Sequence, residues 1–297
     1  MQNSAILQTE VMLGSAAERR RIWRNLLVYT VGVMTLSVVG GVVLSTGAGI
    51  GGLIFISGPI LMVILLRALG GDGWQDAGLR LGSLPWYLFA LLIFPVTLGL
   101  ILGIGIITGT ILFRGSLSAL AGAAVTGLAP ALIFAMFEEW GWRGYLEPRL
   151  ARLGMPDLRR HVLVGMIWAV WHIPYFLATP GFIALPPALY ALLMVGGFLA
   201  MAVVHGQLRK VSGTVWTVVL AHGLGNAIAQ PLLGGMAESR LPALIATRFE
   251  NLLFIVLWTI IGWWLIRRRP QPTSCTRLRQ RAIRPTGEPF ASFQTKE

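Results

Sequence analysis

The sequence has little charge, since only 12% of its 297 residues are Asp, Glu, Lys or Arg. Soluble globular domains carry roughly 25% charged residues, so a water-soluble protein of this size is excluded. Disordered chains are polar and highly charged, whereas 55% of these residues are hydrophobic, which excludes disorder as well. The composition therefore predicts an all-α, polytopic membrane protein.

Cysteine and the common metal-binding patterns are also scarce. Cys275 is the single cysteine, which excludes an intrachain disulfide and any paired-cysteine metal motif. The sequence contains no HExxH pattern, which excludes the zinc-protease helix that this pattern marks. Glu10, Glu18 and the basic run 19–24 precede the first apolar segment, so no cleavable signal peptide is predicted.

Long apolar segments dominate the rest of the chain. A membrane-spanning helix needs about 20 mostly apolar residues. Pro148 is predicted to end the long apolar segment that begins near residue 116. We predict a basic N-terminal segment over 1–25, a membrane domain over 26–266 and a basic, disordered tail over 267–297. Eight segments are long enough to span, at about 26–46, 48–68, 85–112, 116–146, 162–178, 186–205, 213–233 and 251–266.

The basic residues predict the orientation. With the N-terminus in the cytoplasm, 21 of the 24 Lys and Arg residues fall on the cytoplasmic side, and the three others are Arg114, Arg240 and Arg248. We therefore expect a multi-pass plasma-membrane protein with both termini in the cytoplasm. This distribution explains the net charge of +12 without a nucleic-acid partner, and the tail arginines are expected to contact anionic lipids of the bilayer.

Ionisable residues are rare inside the predicted spans. Ten of the twelve acids fall in loops, tails or helix ends, which leaves Glu138 and Glu139, and only His172 and His222 lie deep within spans. Buried ionisable groups cost several kcal/mol unless they are paired or face water. Glu138, His172 and His222 each lie nine or ten residues, or ~14–15 Å, from the cytoplasmic end of their spans. A shared depth predicts one buried polar site. His161 and His205, at predicted span edges, are expected to be interfacial.

Helical spacing groups the polar residues further. Residues four apart share a helix face and can contact each other or one cavity. Each pair alone also has a purely structural interpretation, as a buried ion pair or an interhelical hydrogen bond. The common depth favours a functional site over that interpretation. The pairs are Glu139 with Arg143, Trp168 with His172, and His222 with Asn226.

These residues resemble the three motifs of a known family in order and spacing. The CPBP family comprises CAAX proteases and bacteriocin-processing proteins, and is also called the Abi or Rce1-like family. The chain resembles it over about 85–233, with Glu138-Glu139-x-x-x-Arg143, Trp168-x-x-x-His172 and His222-x-x-x-Asn226. The second motif of the family usually begins with Phe, where this chain has Trp168. That departure concerns the shape of the substrate pocket more than the catalysis.

The resemblance implies an intramembrane endopeptidase that cleaves a peptide bond in a membrane-associated protein or peptide. Glu138 would activate a water molecule as general base, and Glu139 would support it through Arg143. The active-site cavity would be built from the helices of the fourth, fifth and seventh predicted spans, and it would open toward the cytoplasmic side.

The remaining motif residues have implied roles as well. His172 would position the water or stabilise charge, and His222 and Asn226 would donate hydrogen bonds to the oxyanion. The family is also interpreted as zinc-dependent, and Glu138, His172 and His222 would then be the metal ligands. The metal-free interpretation is favoured here.

Two other functions compete with proteolysis. An ion- or proton-coupled transporter could use the same buried polar cluster, but such transporters often contain paired halves with broken helices, and the sequence shows no such repeat. A non-enzymatic immunity or interaction protein could retain the motifs as a scaffold. Neither the substrate sequence nor an oligomeric state is predicted.

Overall fold

The chain folds as a bundle of long apolar helices, described over residues 15–179, 187–240 and 252–268 in a computed structural model. A π-helical turn over Trp142–Leu146 joins the fourth helix to the fifth, and another over Leu232–Met236 follows the eighth. The helices are α1 (Ala16–Ser45), α2 (Ile50–Ala68), α3 (Pro85–Ile107), α4 (Leu117–Gly141), α5 (Glu147–Arg152), α6 (Asp157–Ala178), α7 (Pro187–Ser212), α8 (Trp216–Pro231) and α9 (Leu252–Ile266).

The helices confirm an all-α, polytopic membrane protein. Six helical segments are long and apolar enough to cross a membrane, namely α1, α2, α3, α4 continued through α5, α6, and α7 from Tyr190. Each predicted span overlaps a helix. The seventh and eighth predicted spans correspond to α8 and α9, which are shorter than the other spanning helices, at 16 and 15 residues. Eight crossings therefore remain a prediction.

Local sequence signals begin several of these helices. The Ser15 hydroxyl accepts a hydrogen bond from the Glu18 backbone N–H at α1, and Ser116 caps α4 in the same way. Pro148 was expected to end the fourth segment, and that expectation is wrong. Pro148 stands in the first turn of α5, where its missing N–H leaves no helical bond unmade, so the helical path continues to Arg152.

A short β-structure departs from the purely helical expectation. Strand β1 (Ile111–Phe113) pairs antiparallel with β2 (Ala237–Ser239), with Leu112 opposite Glu238. Strand β1 follows α3 within what the hydropathy pattern predicts as one continuous span. Three-residue strands are too short to show a period-2 pattern, so hydropathy alone could not separate them from the helix.

Helix contacts define which segments meet at the centre. Helix α1 packs on α2 and α6, α4 packs on α2 and α8, and α7 packs on α6 and α9. Gly223 of α8 lies so close to α4 that an added Cβ would be 3.0 Å from the Leu132 Cα. Helices α4, α6 and α8, which carry the three motifs, are therefore held in one group by their neighbours.

Arg67 and Arg149 form ion pairs with Asp72 and Asp76 at one end of the bundle, which we call the arginine-rich end. The Asp76 carboxylate is 3.0 Å from the Arg67 guanidinium and 3.1 Å from that of Arg149. Asp72 is 3.6 Å from Arg149 and accepts a 2.7 Å hydrogen bond from the Tyr145 hydroxyl. These contacts fold the α2–α3 loop against the helix ends.

His161 and His205, predicted at span edges, are enclosed within the bundle. Helix α6 begins at Asp157 and α7 continues to Ser212, so both residues lie inside helices, and both are fully buried. Hydropathy placed the span edges at the last apolar residue. The helices extend past those edges because other elements cover their polar ends, as where Glu147 contacts His161.

Candidate active site

The adjacent acids at the end of α4 face different partners. Successive helical residues point about 100° apart, so Glu138 and Glu139 can reach different helices. The Glu138 carboxylate accepts a 2.7 Å hydrogen bond from the Trp168 indole N–H of α6. Its other oxygen lies 3.9 Å from His222 Nε2 of α8. Glu138 is therefore held by one neighbouring helix and faces the histidine of another.

Glu139 is the more enclosed of the two acids. Arg143 Nη1 donates to both carboxylate oxygens, at 2.9 and 3.0 Å, and both side chains are fully buried. The four-residue spacing therefore does produce the predicted pair. The same Glu139 Oε1 lies 2.8 Å from His222 Nδ1. A buried carboxylate needs charged or donor partners on every side, and Arg143 and His222 supply two of them.

His222 is oriented by its position between the two acids. With Nδ1 donating its proton to Glu139, the other ring nitrogen, Nε2, faces Glu138. A carboxylate that fixes the tautomer and rotation of an imidazole is a recurring arrangement at functional histidines. The geometry therefore leaves Nε2 available for chemistry next to Glu138.

His172 lies in an aromatic pocket one turn beyond Trp168. Its Nδ1 is 3.0 Å from the backbone oxygen of Trp168. Its ring packs against Phe176 and Phe198, with centroids 5.2 and 4.6 Å away. The Nδ1 contact directs the remaining nitrogen, Nε2, away from its own helix.

One cavity joins these residues. It has a volume of about 380 Å³. Helices α4, α6 and α8, which carry the three motifs, contribute to its wall together with α2, α3, α7 and α9. Glu139 and Arg143 lie behind the wall, where they contact His222 and the ring face of Trp168. The polar side chains of the wall include Glu138, Trp168, His172, His222 and Asn226, and its apolar side chains include Phe55, Phe94, Phe134, Phe176, Phe198 and Phe254.

The cavity extends from Glu138 toward the end of the bundle that lies opposite the arginine-rich end. Its lining extends from Glu138 to Gly49 and Gly52, where α2 begins, and to Leu233, just past the end of α8. These ends lie away from the arginine-rich end, which the basic-residue count assigns to the cytoplasm. Ion pairs of the α2–α3 loop lie at the arginine-rich end. Which side of the membrane the cavity faces depends on the orientation of the chain, which stays a prediction.

His205 is a site neighbour that sequence reasoning missed. Its Nδ1 lies 3.6 Å from Glu139 Oε1, and its ring is 5.8 Å from that of His222. Together with His222 and Glu139 it forms the one group of three potential metal-ligating residues within the described ranges. The hydropathy pattern ended the predicted span at His205, whereas α7 continues for seven more residues to Ser212.

The potential zinc ligands do not have the predicted composition or a zinc-like spacing. The expected set was Glu138, His172 and His222, whereas the group that the structure assembles is Glu139, His205 and His222. Tetrahedral zinc with bonds of about 2.0–2.1 Å holds its ligand atoms about 3.3 Å apart. His222 and Glu139 meet at 2.8 Å, a direct hydrogen bond, and both oxygens of Glu139 are paired with the Arg143 guanidinium, whose positive charge disfavours a cation there. This arrangement does not fit a zinc ion.

Comparison with known proteins agrees with the motif-based resemblance. The model of a family described as type II CAAX prenyl endopeptidase, Rce1-like, matches residues 120–228. The matched segment begins in α4 and ends in α8, and it contains all six predicted site residues. A search of curated proteins finds no match to this chain.

Proposed function

We propose that this chain is a CAAX-type intramembrane protease, like the Rce1-like family whose model matches residues 120–228, and that Glu138 activates the attacking water. Glu138 is the acid that lines the cavity, and its position beside His222 is the single observation that carries the proposal. A general base must lie within hydrogen-bond reach of the proton that it removes. A water in the cavity beside Glu138 meets that requirement.

The neighbouring residues supply orientation and charge stabilisation. Glu139 and Arg143 hold the His222 ring, so His222 Nε2 and the Asn226 amide are placed to stabilise the oxyanion of the tetrahedral intermediate. His172 lines the same wall and is placed to position the water. We assign no step to a metal ion, and the chelator arm of the assay below tests whether one takes part.

The cavity wall supports a membrane-associated substrate. Aromatic side chains such as Phe55, Phe134 and Phe198 dominate its apolar part, and apolar walls favour apolar ligand groups. We propose a hydrophobic or lipid-modified peptide as the substrate. With both termini in the cytoplasm of a plasma-membrane protein, the cavity would extend toward the external half of the bilayer.

Glu138→Gln tests the proposal directly. Glutamine keeps the side-chain shape and an oxygen that can accept the Trp168 hydrogen bond, but it cannot take a proton from water. We expect kcat to fall by about 10²–10⁴-fold. The assay uses purified protein in proteoliposomes with two internally quenched peptides, one ending in a farnesylated CAAX motif and one its unprenylated counterpart.

Glu147→Gln is the matched control, because Glu147 is another buried glutamate, located at the start of α5 beside His161. It should retain activity. Near-normal cleavage by Glu138→Gln would contradict the proposed base, and failure of the parent protein to cleave either peptide would contradict the CAAX-type substrate. A zinc chelator added to the same assay separates metal-free cleavage from a zinc-dependent reaction.

A further inference from the structure

We propose that His205 is a positioning residue for this proteolysis and acts through Glu139 on His222. The inference rests on the proposed function, because it assigns His205 a part in preparing that same site. It concerns a residue outside the three sequence motifs, on α7, a helix that carries none of them.

The geometry places two histidines on one carboxylate oxygen. Glu139 Oε1 is 2.8 Å from His222 Nδ1 and 3.6 Å from His205 Nδ1. The two imidazole rings lie nearly parallel, with an interplanar angle of 29° and centroids 5.8 Å apart. A shift of a few tenths of an ångström in either side chain brings His205 within hydrogen-bond distance.

The surroundings of His205 leave Glu139 as its acceptor. The ring is fully buried and faces Phe94, Trp168 and Trp258, with centroids 5.6–6.3 Å away. Neither ring nitrogen has a hydrogen-bond partner among the described residues. A buried polar group without a partner is costly, so an N–H of His205 gains most by turning to the nearby Glu139 carboxylate.

His205 thus adds a third donor to the acid that orients His222. Arg143 follows α4, His222 is on α8 and His205 is on α7, so donors from three parts of the bundle hold the Glu139 carboxylate. Loss of one donor leaves that carboxylate freer to rotate, and the His222 ring follows it. His205 is not among the cavity-lining residues that the structure describes, so its loss should affect turnover and leave substrate binding unchanged.

The experiment compares His205→Leu, which removes the donor, with His205→Asn, whose side-chain N–H lies near the position of Nδ1. In the quenched-peptide assay we expect kcat of the Leu variant to fall about tenfold with KM within about twofold, as for other residues that orient a reactive group. The Asn variant should recover activity to within about threefold of the parent. If the Leu variant does not fold, His205→Met removes the same donor with a more adaptable side chain.

His161→Leu is the matched control, since His161 is also fully buried against a glutamate, Glu147, but away from the cavity. It should keep its kcat per folded molecule even if its thermal stability falls. Equal kcat in the parent, Leu and Asn variants of His205, with Glu138→Gln inactive, would overturn the role of His205 alone. An active Glu138→Gln would instead overturn the proposed function.

Discussion

At the residue scale, the contact between Trp168 and Glu138 distinguishes this site from the family pattern. The motif usually begins with Phe at this position, and a phenyl ring has no N–H to donate. Here the indole N–H donates to Glu138 at 2.7 Å, while the ring packs beside Arg143, His172 and His222. The sequence showed the substitution and suggested a change in pocket shape. The structure shows in addition a bond to the proposed base.

Trp168→Phe tests the importance of that bond. Phenylalanine keeps an aromatic ring in the packing but removes the donor that orients Glu138, and hydrogen bonds to charged groups contribute about 1.5–3 kcal/mol. We expect kcat to fall by about tenfold, far less than in Glu138→Gln. Steady-state kinetics on the cleaved peptide measure the change.

Trp171→Phe is the control for Trp168→Phe. Trp171 is equally buried and stacks on Phe55 with centroids 3.9 Å apart. Its indole N–H has no hydrogen-bond partner within the described part of the chain. Equal losses of kcat in the two variants would mean that ring packing, and not the bond to Glu138, explains the effect.

At the element scale, small residues let α8 approach its neighbours closely enough to place His222. Gly223 lies against Leu132 of α4, and a Cβ at Gly225 would overlap the ring of Phe94 on α3. Small residues at helix contacts allow close backbone approach in membranes. Gly223 and Gly225 stand between His222 and Asn226 in the sequence, but their partners on α4 and α3 emerged only from the fold.

Gly223→Val should destabilise the bundle, because its side chain would overlap Leu132. Overpacking of this kind costs about 1–3 kcal/mol, so the midpoint of thermal unfolding in detergent should fall. Gly122→Val is the control, because Gly122 is exposed on α4 with no atom within 4 Å of an added Cβ. Unchanged stability of Gly223→Val would show that α4 and α8 can separate without cost.

At the scale of the whole molecule, the bundle has two unlike ends. Ion pairs around Asp72 and Asp76 close the arginine-rich end, and the cavity extends toward the other end, near Gly49 and Gly52. Basic residues concentrate on the cytoplasmic side of membrane proteins. The closed end should therefore face the cytoplasm, and the cavity should extend toward the outer leaflet.

Cysteine labelling of intact cells tests this orientation. Cys275 lies outside the described residues and is replaced by serine, which leaves a cysteine-free background. Thr46→Cys, in the exposed α1–α2 turn, should react with a membrane-impermeant maleimide, and Gln75→Cys, exposed in the α2–α3 loop, should react only after permeabilisation. The reverse labelling pattern would show that the arginine-rich end faces the outside of the cell.

Local properties of the sequence determined the membrane class, the positions of the helices and the pairs that lie four residues apart. Hydropathy and helical spacing act over one or two turns, so Glu139 and Arg143 could be paired without a structure. A shared depth along three helices predicted a single site at Glu138, His172 and His222, and four-residue spacing added Asn226. All four residues line one cavity.

Only the tertiary structure decided how the helices are rotated and what lies between them. The placement of His205 beside Glu139, the bond from Trp168 to Glu138 and the closure of the arginine-rich end all depend on contacts between residues at least 30 positions apart. Hydropathy carries no information on which face of one helix meets another. In a bilayer that choice is made by side-chain packing and hydrogen bonds between helices, because burial from water no longer distinguishes one apolar face from the next.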